Sequence, residues 1–325
     1  MPHYHNQRPV EPRVSHLSPS SHSSPAQVSK SLESEPSQIT CSAPFDDEDA
    51  DLIIRSCDDV HFRVFKVILK KASPVFGGMF SLPSTGSKEI PSVDVSEDGE
   101  TMTQLLRLCY PTCDSRLKTL DQVSRLMDAC GKYQMDDAAR RVAMTTLGNF
   151  MSKDPIHAYA LACRAGASRE AGRAAFHCLS ISPSDIVVYN NNDLCRISVA
   201  AYRNLLEYHL RCRQAAASVV AQWDYKTDAE RYCWVHSQRS YGYRAPRQEY
   251  VCPWWTGTMK VIADELLHKL PPMAPITSNL PLLDVGDISC KECKPRAQVD
   301  MYRFATVLEA GIEKALHAVE FTFQW

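Results

Sequence analysis

The chain has 325 residues, 44% of them hydrophobic, which is enough for two or three domains with cores of their own. Its 36 basic and 38 acidic residues leave a net charge of -2, which argues against nucleic acid or an anionic membrane as the partner. No run of 18 apolar residues occurs and the N-terminus is polar, so we expect a protein of the cytoplasm or nucleus that is not secreted. Thirteen scattered cysteines fit reduced thiols better than a secreted disulfide framework.

Residues 1–44 differ in composition from the rest of the chain. They contain the run SHLSPSSHSSP, four histidines and almost no large apolar side chains. Such a segment buries too little surface to offset the entropy lost on ordering. We therefore expect a disordered Pro/Ser/His-rich tail that is dispensable for folding.

The stretch DLIIRSCDDVHFRVFKVILKKASPVF changes its hydrophobic period twice. A short apolar run at 52–54 and the alternation over 60–64, with a turn between them, predict a β-hairpin. Helical spacing begins at Phe65. Ser73 followed by Pro74 is typical of an N-cap and first helical residue, so a second short helix is expected there.

A third strand and more helices are expected after the hairpin. Residues 90–95 have strand character, and Ser96 is the predicted N-cap of a helix with acidic residues in its first turn. Apolar positions at helical spacing then predict a long helix from Leu120 and another from about Met135.

This order of elements, with the motifs FKxxL, AS, MF and VSEDGETMTQLLRLCY, resembles a BTB/POZ domain. More narrowly, it is similar to the BTB proteins of mushroom-forming fungi, in which a helical region with a Cys-containing C-terminal segment follows. The resemblance implies an α+β fold, with a small mixed sheet and clustered helices over residues 45–150 and a mainly α-helical region after it. It also implies a protein–protein interaction module that forms homodimers or recruits partners, as ubiquitin-ligase substrate adaptors do.

The resemblance also points to interface residues. BTB dimers place an Asp and a basic residue in a charged pocket, and the matching positions are Asp51 and Lys66; the alternative is that both are solvated charges. Phe65 stands where the family has a His, so the polar contact of that His is not expected. Some members bind a cullin through a hydrophobic-x-Glu motif. Here Ser87 stands in the hydrophobic position before Lys88-Glu89, so the sequence neither excludes a cullin as a partner nor indicates one.

The middle region, residues 151–222, is predicted to be helical. Asp154-Pro155 and Ser198 are the expected starts of two helices. His209 and Cys212 lie at i and i+3 on the second helix. With no third catalytic group in view, we interpret them as packing residues.

The C-terminal region, residues 223–325, contains a pattern of metal-ligand spacing. Cys233 and His236 form C-x2-H, and Cys290 and Cys293 form C-x2-C. Two such pairs can complete a closed structural zinc site, so we predict one zinc ion with these four ligands. Cys252 is a possible substitute ligand, and Lys291, Lys294 and Arg296 are expected to favour thiolates. Redox-active cysteines and plain structural cysteines are the alternatives.

Enzymatic motifs for phosphate, nucleotide, serine-hydrolase and zinc-protease chemistry are absent from the sequence, so we expect no enzyme. The first candidate function is protein–protein interaction through the BTB unit. The second is a nuclear transcriptional regulator with a zinc-stabilised C-terminal region. The lack of a Lys/Arg cluster argues against the second, because phosphate contacts need several cations in one place.

Overall fold

A computed structural model describes residues 39–40, 44–81, 90–110, 117–224, 232–239, 247–279 and 288–322. Two expectations lie outside these residues. They are the disorder of the N-terminal tail before Ile39 and the cullin motif at Ser87 to Glu89. Ile39 and Thr40, which the expected tail included, lie instead in a strand of the sheet.

The first part of the fold is a four-stranded mixed sheet in the order β1-β3-β2-β4. Its strands are β1 (Ile39–Thr40), β2 (Leu52–Arg55), β3 (Val60–Val64) and β4 (Ser92–Asp94). The predicted hairpin is confirmed, because β2 and β3 pair antiparallel, while β1 and β4 join the two sides in parallel. Asp59 makes the turn with φ 63°, a left-handed conformation that Asp tolerates. The alternation of the strands buries Leu52, Ile54, Phe62 and Val64 on one face.

Five helices accompany this sheet. They are α1 (Lys66–Ala72), α2 (Pro74–Met79), α3 (Gly99–Cys109), α4 (Leu120–Lys132) and α5 (Asp136–Thr146). Ser73 caps α2 as predicted, since its hydroxyl accepts the N–H of Phe76 at 3.2 Å. Their apolar faces and the buried face of the sheet belong to one hydrophobic core.

The predicted N-cap of α3 was wrong. Asp98, not Ser96, accepts the N–H of Thr101 at 2.7 Å. The Ser96 hydroxyl instead accepts from the Lys132 ammonium at 2.7 Å. A Cβ on Gly99, the first residue of α3, would come within 2.7 Å of Val60, so only glycine allows this close approach to the hairpin.

The middle region is helical, as expected. It contains α6 (Pro155–Arg164), α7 (Ser168–His177), α8 (Pro183–Val188) and α9 (Val199–Ala221). The two predicted caps are confirmed, at Asp154 and Ser198. His209 is buried and its Nε2 lies 3.0 Å from the carbonyl oxygen of Ile181, which fits a packing role; burial lowers the pKa of this His.

The C-terminal region combines helices with a hairpin that the sequence pattern did not indicate. The strands are β5 (Val235–Arg239) and β6 (Arg247–Val251), and the helices are α10 (Pro253–His268), α11 (Ile276–Asn279) and α12 (Ala297–His317). Helices α10 and α12 both pack against α9. None of the described helices has the length and apolar character needed to cross a membrane.

Candidate metal centre

Three segments bring four ligand side chains together. His236 lies on β5, opposite Tyr250 on β6. Cys252 follows β6 immediately and is the N-cap of α10, and its N–H bonds the carbonyl oxygen of Trp234 at 2.9 Å. Cys290 and Cys293 lie in the turns before α12. The short β-hairpin therefore delivers one ligand and the starts of two long helices deliver the others.

The ligand atoms of His236, Cys252, Cys290 and Cys293 all lie within 4.8 Å of one another. His236 Nε2 is 3.1 Å from Cys293 Sγ and 3.6 Å from Cys290 Sγ. The sulfurs of Cys252 and Cys293 are 3.4 Å apart, and all the cysteines of this group are free thiols. Tetrahedral zinc holds neighbouring sulfurs roughly 3.8 Å apart and a sulfur and nitrogen roughly 3.6 Å apart. The group therefore fits a zinc ion in size and in donor chemistry.

The group differs at one position from the zinc ligands that the sequence predicted. Cys252 belongs to it and Cys233 does not. Cys233 holds the site through its backbone: its N–H bonds Asp300 at 2.9 Å, and its carbonyl oxygen accepts from the Cys293 thiol at 3.1 Å. Burial raises the pKa of the Cys233 thiol to about 12 and also raises the pKa of Cys252, so the position of the sulfur, and not its acidity, separates the two cysteines. The register of the hairpin explains why the group contains Cys252 in place of Cys233, because the end of β6 brings Cys252 beside His236.

The thiols of the group have unequal acidity. The backbone N–H of Cys293 lowers the pKa of Cys290 to about 7, and the backbone N–H of Glu292 acts in the same direction. Burial raises the pKa values of Cys252 and Cys293. The nearby Lys and Arg side chains that the sequence pointed to are not the main cause of the low pKa of Cys290. The main cause is backbone hydrogen bonding.

The His236 ring is fixed on two sides. Its Nδ1 lies 2.8 Å from a carboxylate oxygen of Glu292, and its face stacks on Tyr250 with 5.4 Å between ring centroids. Nε2 is the nitrogen on the side of the sulfurs. An imidazole held in this way offers Nε2 to a metal and Nδ1 to a carboxylate that does not touch the metal.

An aromatic cluster lies beside the four ligands. It consists of Tyr232, Trp234, Trp254, Trp255 and Phe304, with ring centroids 4.5 to 6.0 Å apart. The cluster joins the segment before β5 to α10 and α12. Its rings belong to the hydrophobic core or pack against it, and they report on the packing around the site.

The predicted interface pair lies at the start of α1. Asp51 is exposed, and its carboxylate accepts the backbone N–H of Lys66 at 2.7 Å. The contact therefore caps a helix and is not a side-chain ion pair. Val67, the next residue, is 63% exposed.

Residues 44–147 match the family model described as the BTB/POZ domain. This part of the chain is a BTB/POZ domain. The match covers the hairpin, β4 and helices α1 to α5, so the α+β fold expected from the resemblance is confirmed. A BTB/POZ domain is a protein–protein interaction module without enzymatic activity of its own. No curated protein matches the chain.

Proposed function

We propose that this chain is a non-enzymatic interaction protein whose BTB domain binds a second copy of the chain. The match over residues 44–147 is the observation that carries the proposal. The surface at the start of α1 supports it. There, a carboxylate held by hydrogen bonding lies at the first residue of the helix, Lys66, which is followed by the exposed Val67, and the last turn of the helix adds Lys70 and Lys71. In a two-fold dimer each surface meets its own copy, so Asp51 of one protomer can oppose a lysine of its partner.

Light scattering during size exclusion tests the dimer. The wild type is expected at about twice 36.5 kDa. Asp51→Asn keeps an oxygen that can cap α1 but removes the charge, and we expect it to shift the equilibrium toward the monomer. Val67→Asp should do the same. Asp185→Asn, an exposed acidic residue on α8, is the matched control and should remain dimeric.

A strict monomer at high concentration contradicts the dimer proposal. Dimers that survive both Asp51→Asn and Val67→Asp place the interface elsewhere on the domain. Thermal unfolding of each variant shows whether a loss of dimer reflects a loss of fold.

The same BTB domain serves to recruit other proteins in our proposal, in the manner of a ubiquitin-ligase substrate adaptor. The C-terminal helical region then provides a second surface for the recruited substrate. Co-purification of a cullin with the intact protein supports this extension. A protein that dimerises but retains no cullin limits the proposal to dimerisation.

We further propose that His236, Cys252, Cys290 and Cys293 bind one structural zinc ion. The donor set is three thiolates and one imidazole, which closes the coordination sphere and leaves no open position for catalysis. Cys252 and Cys293 are buried, and His236 is largely buried. The metal would tie the hairpin to the starts of α10 and α12, and so stabilise this region without a reaction.

Elemental analysis and chelation test the zinc ion. We expect about one zinc per chain in freshly purified protein. A strong chelator should then change the fluorescence of the aromatic cluster, because the three segments separate, while the BTB domain resists proteolysis as before. Metal-free protein with a disulfide among these cysteines would support the redox alternative instead. Metal-free protein with free thiols would support plain structural cysteines.

A further inference from the structure

We propose that Glu292 is a positioning residue of the metal centre, which fixes His236 with its proton on Nδ1 and its lone pair on Nε2. The inference rests on the zinc site proposed above. It goes beyond that site because it assigns a role to a residue that coordinates nothing. The ion bound at the site would be zinc or another divalent ion that accepts sulfur and nitrogen donors.

The geometry around His236 carries the inference. Glu292 Oε2 is 2.8 Å from Nδ1, whereas Nε2 is 3.1 Å and 3.6 Å from the sulfurs of Cys293 and Cys290. A carboxylate can only accept, so the ring nitrogen facing it must carry a proton. A neutral imidazole has one N–H, so the other nitrogen keeps its lone pair for the metal.

The position of Glu292 in the chain makes the contact more than an incidental surface pair. It lies inside the C-x2-C turn, which is closed by a 3.1 Å hydrogen bond from the Lys294 N–H to the Cys290 carbonyl oxygen. The turn that carries the two thiols therefore also carries the carboxylate that contacts His236.

The exposure of the Glu292 side chain, taken alone, predicts only a small contribution to the site. Its side chain is 80% exposed, and exposed ion pairs contribute little to stability. A purely electrostatic pair would therefore leave metal affinity almost unchanged when removed. A carboxylate that holds a ligating histidine in place has a larger effect, because its loss lets the ring rotate or change tautomer; such losses typically cost about 10–100-fold in metal affinity.

The test is the zinc affinity of Glu292→Ala, measured by competition with a colorimetric chelator. Glu292→Gln keeps an acceptor oxygen for Nδ1–H without the charge, so its affinity should fall between the wild type and Glu292→Ala. Glu249→Gln is the matched control. It removes one carboxylate from the same hairpin, and Glu249 neighbours Tyr250 on β6, so its side chain points to the opposite face from the ring stacked on His236.

We expect Glu292→Ala to bind zinc about 10–100-fold more weakly, with Glu249→Gln unchanged. Cobalt(II) absorption should show that the variant still uses three thiolates, and nitrogen NMR of the imidazole should show Nδ1–H in the wild type. Equal affinity of Glu292→Ala and wild type, or the opposite tautomer in the wild type, overturns the role of Glu292 alone. A wild type that binds no zinc overturns the metal site together with this inference.

Discussion

Replacement of Asp193 by alanine should cost the protein about 3–5 kcal/mol of folding free energy. Asp193 is buried at the junction between the BTB domain and the middle helices. It accepts from the Ser124 hydroxyl of α4 at 2.8 Å, lies 2.7 Å from His157 Nε2 of α6, and pairs with Arg164 of α6. Asp128 on α4 also binds Arg164, so the two carboxylates tie both helices together.

The magnitude follows from what the substitution leaves behind. Arg164 has an 11% exposed side chain and His157 a 5% exposed one, so neither can replace its lost partner with bulk water. Without Asp193, the buried His157 loses the carboxylate at its Nε2, while Arg164 keeps Asp128, so we expect the lower end of the range of about 3–5 kcal/mol that a broken buried pair costs. Glu207→Ala is the control, because Glu207 pairs with Arg203 on the exposed side of α9; it should cost only about 0.3–0.5 kcal/mol.

Urea unfolding followed by circular dichroism measures both variants. A loss below about 1 kcal/mol for Asp193→Ala would refute the reasoning, since it would mean that water reaches the junction. Acid provides a second readout. Burial tends to raise the pKa of Asp193, but hydrogen bonds from His157 and Ser124 and the charge of Arg164 outweigh it and lower the pKa overall. Its stabilisation is therefore complete above the ordinary carboxyl pKa of 3.8 and is lost as the pH falls below that value.

Two further predictions concern the BTB domain and the strand before it. Ser73→Ala removes the cap on the Phe76 N–H and a 2.7 Å hydrogen bond to the buried carbonyl of Tyr133, so chemical unfolding should show a loss of about 1–3 kcal/mol; an unchanged midpoint would contradict this. A chain that begins at Ile39 should keep the thermal transition of the full chain. Deletion of Ile39–Thr40 as well removes the pairing with β3, so it should reduce the free energy of unfolding by on the order of 1 kcal/mol and lower the midpoint.

The sequence predicted those features whose interactions are local. Ser73, Asp154 and Ser198 each cap a helix through an N–H three residues away, so a short motif contains both partners. The error at Ser96 is an exception, because the true N-cap, Asp98, also bonds an N–H three residues away. The Ser96 hydroxyl accepts instead from Lys132, 36 residues further on, a contact that no local motif contains.

The metal centre shows the same limit. The C-x2-C turn, with Cys290 and Cys293, is local and was found. Cys252 ranked only as a substitute, because its approach to His236 depends on a β5–β6 hairpin whose strands have no strong apolar alternation. Glu292 was missed altogether, since its partner His236 lies on a separate segment.

Comparison of the metal content of Cys252→Ser and Cys233→Ser tests most directly whether the C-terminal region is organised around one metal ion. Both variants remove one thiol from the same neighbourhood, and only Cys252 belongs to the four-ligand group. We predict about one zinc per chain in the wild type and in Cys233→Ser, and a loss of zinc in Cys252→Ser. Zinc retained by Cys252→Ser and lost from Cys233→Ser, or absent from the wild type, would contradict the account.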